Sequence, residues 1–140
     1  MDTRLTALRK ENELGTDVSQ QIEELAQMTV SQLRERYIEV FGEESRSNHK
    51  QFLFRRIAWR IQALAFKAVR RLYPDYPLWR DFAYEYERGK LAIDVINGGP
   101  LLREWVDDAS ATPHDLDVLA RSDEQAWSTK RLEYLRYGRP

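Results

Sequence analysis

Apolar residues recur at helical spacing along most of this chain. Val18, Ile22, Leu25 and Ala26 share one face of a helix running from Asp17 to Gln27, with Asp17 as its N-cap. Thr29 opens a second helix, to about Phe41. Thr29 and Gln32 have the spacing of a capping box, Met28 and Leu33 that of a hydrophobic staple. Val30, Leu33, Tyr37 and Phe41 form its buried stripe, and Gly42 is a natural C-cap. Asn48, with Gln51 three residues on, caps the longest regular segment, which runs to Leu72 and ends before Pro74. Its apolar ladder is Leu53, Ile57, Ile61, Leu64, Ala68 and Leu72.

Pro74-Asp75-Tyr76-Pro77 breaks the pattern. Tyr84–Glu87 then alternates like a short strand or an extended arm. Leu91–Ile96, β-branched and apolar, fits a strand or a short buried helix and is taken as helix; Asn97-Gly98-Gly99 reads as a turn. Pro100 suits the first position of a helix to about Asp107. Thr112-Pro113 opens a further helix. Ser122 and Gln125 offer a second capping box, so Pro113–Arg121 and Asp123–Tyr134 are two helices or one bent one. Trp105 and Trp127 read as core residues. Residues 2–13 read as a polar helical arm ended by Gly15, and Gly138 ends the final helix. The fold class that follows is mainly α: a small helical bundle with a helix-turn-helix-like unit at 17–72, an arm at 1–16, and a helical, aromatic-rich unit at 73–137 that has room for one short β segment. No internal repeat or low-complexity segment interrupts it.

The net charge of -1 conceals a segregation. Residues 1–44 carry a net -5 and residues 72–140 a net -4, while residues 45–71 carry eight basic side chains and no acidic one. Such a block points to a polyanionic partner or to internal neutralisation by the acidic flanks. The first reading takes double-stranded DNA as partner, because Lys and Arg release the counterions condensed on phosphates. Its contact set is Arg34, Arg36, Arg46, Lys50, Arg55, Arg56, Arg60, Lys67, Arg70 and Arg71, with Trp59 stacking or packing beside them. The short helix, tight turn and longer basic helix match a helix-turn-helix layout. The second reading pairs the same arginines with acids of this chain or of an acidic protein surface. A second surface is aromatic: Tyr76, Trp79, Phe82, Tyr84 and Tyr86 suit a protein partner or a sugar, and equally the packing of an irregular segment.

Other chemistry finds little support. The chain has no cysteine, and its two histidines, His49 and His114, are far apart, so neither a metal nor a cofactor is expected. Asp107, Asp108, Asp115 and Asp117 cluster, as solvated loop and first-turn charges do. No serine stands in a nucleophile elbow, and Gly98-Gly99-Pro100 is too short to cradle phosphate. The expectation is a non-enzymatic protein. No apolar run approaches the ~20 residues of a membrane span, and MDTRLTALRKENELG lacks the apolar stretch of a secretory signal. A cytoplasmic location is expected.

Two resemblances cover different halves. Met28-Thr-Val-Ser-Gln-Leu-Arg-Glu-Arg-Tyr37, Val40-Phe41-Gly42-Glu43-Glu44, Ser47-Asn-His-Lys50 and Phe52-Leu-Phe-Arg-Arg-Ile-Ala-Trp-Arg-Ile-Gln-Ala-Leu64 lie in a stretch, about Ile22 to Ala65. It resembles a family of uncharacterised proteins found in prophages and mobile elements, often near site-specific recombinases. The resemblance implies a DNA-related, recombination-accessory role in such an element, with an inhibitor or antitoxin-like interaction factor of phage origin as the alternative. Leu72-Tyr-Pro, Trp79-Arg80, Tyr84-Glu85-Tyr86, Lys90-Leu-Ala-Ile-Asp94, Gly98, Leu102-Arg103 and Leu132-Glu-Tyr-Leu-Arg-Tyr137 resemble the C-terminal tail of exo-β-N-acetylmuramidase-type cell-wall enzymes. That family's catalytic carboxylates lie in a domain without counterpart here, and Arg136 departs from its usually apolar end. Glycosidase activity is therefore not implied. Two such halves in one chain suggest a natural fusion, a recombined gene or a designed sequence.

Overall fold

The computed structural model describes residues 17–135. The expected arm at 1–16 and the stop at Gly138 lie outside the described residues. The described chain is helical: α1 (17–27), α2 (Val30–Phe41), α3 (Lys50–Leu72), α4 (Ala92–Asn97), α5 (Leu101–Asp107) and α6 (Pro113–Lys130), followed by a 3-10 turn at Arg131–Tyr134. It divides into two units between Tyr76 and Pro77.

In the first unit the start of α2 forms as its sequence dictates. The Thr29 hydroxyl accepts from the Gln32 backbone N–H at 3.3 Å, and the Gln32 side chain accepts from the Thr29 N–H at 2.9 Å. Gly42 ends the helix with φ +74°, its N–H donating to the Ile38 carbonyl at 2.7 Å. That left-handed conformation strains any residue with a Cβ, which is why glycine stands there. Leu25, Leu33, Tyr37, Leu53 and Ile57 form the core, with Met28, Val30, Val40, Phe41, Phe54, Ala58 and Ile61 packed around it.

The loop before α3 is held by its own hydroxyls. Ser45 Oγ accepts from the Ser47 N–H and Ser47 Oγ from the His49 N–H, both at 3.1 Å. The α3 cap is His49 rather than Asn48: His49 Nδ1 accepts from the Phe52 N–H at 3.2 Å. The Asn48 side chain is turned to Arg34, accepting from its guanidinium at 2.8 Å.

The buried face of α3 also differs from the expected ladder. Leu53, Ile57, Arg60, Ala63 and Lys67 are buried; Ile61, Leu64 and Ala68 are half-buried and Leu72 is exposed. Four of the five steps in the expected ladder are of four residues, each overshooting a 3.6-residue turn by about 40°, so the ladder drifts and ends at Leu72 about 100° round from Leu53. A seven-residue step nearly closes two turns. Leu53, Arg60 and Lys67 therefore stay in line, and two cations are carried inside.

In the second unit Ala92, Leu102, Trp105, Val106, Ala111 and Leu116 are buried. The Trp105 indole N–H donates to the Thr112 carbonyl at 2.7 Å. Arg103 grips the Asp94 carboxylate through Nε and Nη2, each at 2.9 Å, and this pairing holds its guanidinium above the ordinary arginine range. Leu91–Ile96 is helical as expected, shifted by one residue and ended by Gly98 at φ +78°, but only Ala92 of this helix is buried and Ile96 is 64% exposed. Pro100 precedes α5 as its cap rather than its first residue.

Tyr84–Glu87 is neither a strand nor an arm. The Glu87 N–H donates to the Tyr84 carbonyl at 3.0 Å across a tight turn, with Glu85 at φ +55°. Alternation over four residues is too short to tell a turn from a strand. Downstream, α6 runs unbroken through Ser122: nothing between Pro113 and Lys130 ends a helix, so the second capping box is not used. Trp127, expected in the core, is 60% exposed.

Two predictions follow from these contacts. Leu33 is fully buried, and Leu33→Ala costs about 2–5 kcal/mol by urea denaturation. Asp115 accepts from the Thr112 N–H at 2.7 Å and hydroxyl at 2.8 Å, and these bonds lower its pKa. Their contribution is present above the ordinary carboxylate range and is lost as pH falls through the lowered value. In an acid titration of thermal stability, Asp115→Asn therefore differs from the parent near neutrality and converges on it in acid.

Candidate nucleic-acid interface

The eight cations of residues 45–71 divide by environment. Arg46, Lys50, Arg55 and Arg71 are exposed and Arg56 and Arg70 half-buried, while Arg60 and Lys67 are each only 4% exposed. Arg70 donates to the carbonyls of Pro74 and Tyr76, both at 2.9 Å, and so fastens the chain leaving α3. Upstream, Arg34 is bonded to Asn48, and Arg36 pairs with Glu39 at 2.6 Å and donates to Gln21 at 3.3 Å. The expected contact set thus separates into side chains engaged within the fold, Arg71 exposed in the last turn of α3, and a group at the amino-terminal end of α3: Arg46 in the preceding loop, then Lys50, Arg55 and Arg56.

Aromatic rings order this end of the helix. Phe41 stacks on Tyr37 with centroids 4.3 Å apart. The Arg60 guanidinium lies over the Phe41 ring at 5.2 Å, and Arg56 lies 5.5 Å from Phe41 and 5.6 Å from Trp59. Ring faces attract a guanidinium by about 0.5–2 kcal/mol each, most where water is excluded. Arg56 is therefore held between two rings. His49, Gln51, Phe52, Arg55, Arg56 and Trp59 line an open concavity of about 370 Å³. Sequence reasoning named the two arginines but left out His49, Gln51 and Phe52. The available signal was the seven-residue spacing of Phe52 and Trp59 with arginines between.

The other sequence candidates fall elsewhere. Tyr86 is fully exposed at the tip of the Tyr84–Glu87 turn, and Tyr76 and Phe82 are 39% and 53% exposed. Tyr84 is half-buried, as is Trp79, whose indole N–H donates to Asp107 at 2.8 Å. The aspartates serve structure: Asp107 holds Trp79, Asp108 accepts from the Ser110 N–H and hydroxyl, and Asp115 caps α6. Among the described residues no group of His, Asp or Glu is arranged to hold a metal, and no helix is long and apolar enough to cross a membrane.

A family model described as a protein of unknown function, DUF2924, matches residues 19–131, and the chain belongs to that family. No curated protein and no solved structure matches it. The family spans both units. It takes in most of residues 72–137, so one family stands where two separate resemblances were expected, and the muramidase-tail resemblance finds no support.

Burial separates the cations energetically. Arg60→Glu or Lys67→Glu places an anion where a cation is enclosed and costs about 3–5 kcal/mol. Lys50→Glu and Arg55→Glu stay within about 0.5 kcal/mol of the parent. Chemical denaturation of the four single variants checks this division.

Proposed function

We propose that this protein binds nucleic acid without catalysing a reaction, through the amino-terminal end of α3 and the loop before it. The observation that carries the reading is the concentration of Arg46, Lys50, Arg55 and Arg56 in a stretch without a single acidic residue, ahead of which a hydroxyl-braced loop fixes the helix start. Polyanion binding of this kind is electrostatic, insensitive to base sequence, and weakened by salt. The enclosed Arg60 and Lys67 hold the helix in place and do not touch the ligand. A role beside a recombinase in a mobile element is the setting that the prophage resemblance suggests.

Protein docking is the second reading, and the exposed Tyr86 at a turn with positive φ favours it. A nuclease-resistant, stoichiometric partner lost with Tyr86→Ala supports this alternative.

The test of the first reading is fluorescence anisotropy with a labelled duplex at low salt. Three or four phosphate contacts give a log–log salt slope of roughly -3 to -4. Arg46→Glu, Lys50→Glu and Arg55→Glu combined abolish binding while the helical circular dichroism signal stays at the parent's level. A parent protein that shifts no nucleic acid at low salt ends this proposal.

A further inference from the structure

Phe52 is 47% exposed, although α3 has a core face to offer it. It stands seven residues before Trp59, so the two rings share a side of the helix about 10 Å apart along its axis. Arg55 and Arg56 lie between them in sequence, and all four line the same concavity. Its walls are largely ring and methylene surface, with charge at the guanidinium ends. Trp59 carries the Arg56 guanidinium at 5.6 Å, which orders that cation.

A duplex makes poor use of such a surface. Its phosphates meet the cations, but its base faces are covered by their neighbours in the stack. An acidic peptide supplies charge and no regular planar group. A single strand brings a phosphate and an uncovered π-face with every nucleotide, and aromatic side chains hold such faces whatever the base.

We infer that this concavity is a platform for single-stranded nucleic acid, on which unpaired bases stack against Phe52 and Trp59 while Arg55 and Arg56 hold the adjoining phosphates. The inference rests on the nucleic-acid reading above and narrows its ligand class.

The experiment compares a labelled oligothymidylate of about twelve nucleotides, within the span of one such site, with a duplex of equal length. Anisotropy at low salt is read for the full chain, Phe52→Leu and Trp59→Leu, each checked by circular dichroism. Phe52→Leu, at an exposed position, carries the result if the Trp59 variant does not fold. The expected outcome is at least about a fivefold loss of single-strand affinity with duplex affinity within twofold. Three results overturn the platform. In the first, both strand forms bind and Phe52→Leu alters neither. In the second, polyglutamate at equal charge displaces the labelled strand as well as unlabelled strand does. Both leave the basic surface standing. In the third, neither nucleic acid binds, which removes the nucleic-acid reading as well.

Discussion

The ring of Phe41 ties α2 to α3 in the first unit. It is the last residue of α2, stacked on Tyr37, and it receives the guanidinium groups of both Arg56 and Arg60 from α3. Tyr37 belongs to the core, so the π-face offered to the arginines is backed by packed side chains. Gly42 must turn the chain directly after this ring, because a continuing helix would leave no loop to bring α3 back alongside. The cap, the turn and the cation–π contacts thus constrain one another. They also explain how two arginines four residues apart acquire different roles: one is enclosed, and the other reaches the rim of a concavity.

Much of this was legible in the sequence where local chemistry decides the outcome. Thr29, Gln32 and Gly42 set the ends of α2 through bonds to their own backbone, and Thr112-Pro113 marks the start of α6, where Asp115 completes a cap that its clustering with other aspartates disguises. Those contacts span a few residues and depend little on the rest of the chain. The failures arise where tertiary placement decides. Asn48 is the better cap by residue type, but Arg34, fourteen residues upstream, engages its side chain, and His49 caps α3 instead. Trp127 carries the composition of a core residue, yet residues 121–130 of α6 are exposed along their whole length.

The basic helix shows the same boundary more sharply. Its charge reads residue by residue, and its apolar ladder by steps of four with one of three. Both procedures miss that Leu53, Arg60 and Lys67 form one line and Phe52 and Trp59 another. Reading by sevens recovers both: the enclosed cations on the first, the ring-lined surface on the second. Charge density in sequence therefore counts the enclosed Arg60 and Lys67 with the exposed cations, and it leaves out Phe52 while naming Trp59. The family match spans both units and so places no functional boundary at the end of α3.

The enclosure of Lys67 also sorts the lysines among the described residues by reactivity. Lys50, Lys90 and Lys130 stand in solvent, while Lys67 is screened. An amine-directed reagent therefore meets the basic end of α3 at Lys50 alone. Tethering or labelling this protein through Lys50 would mask part of that surface.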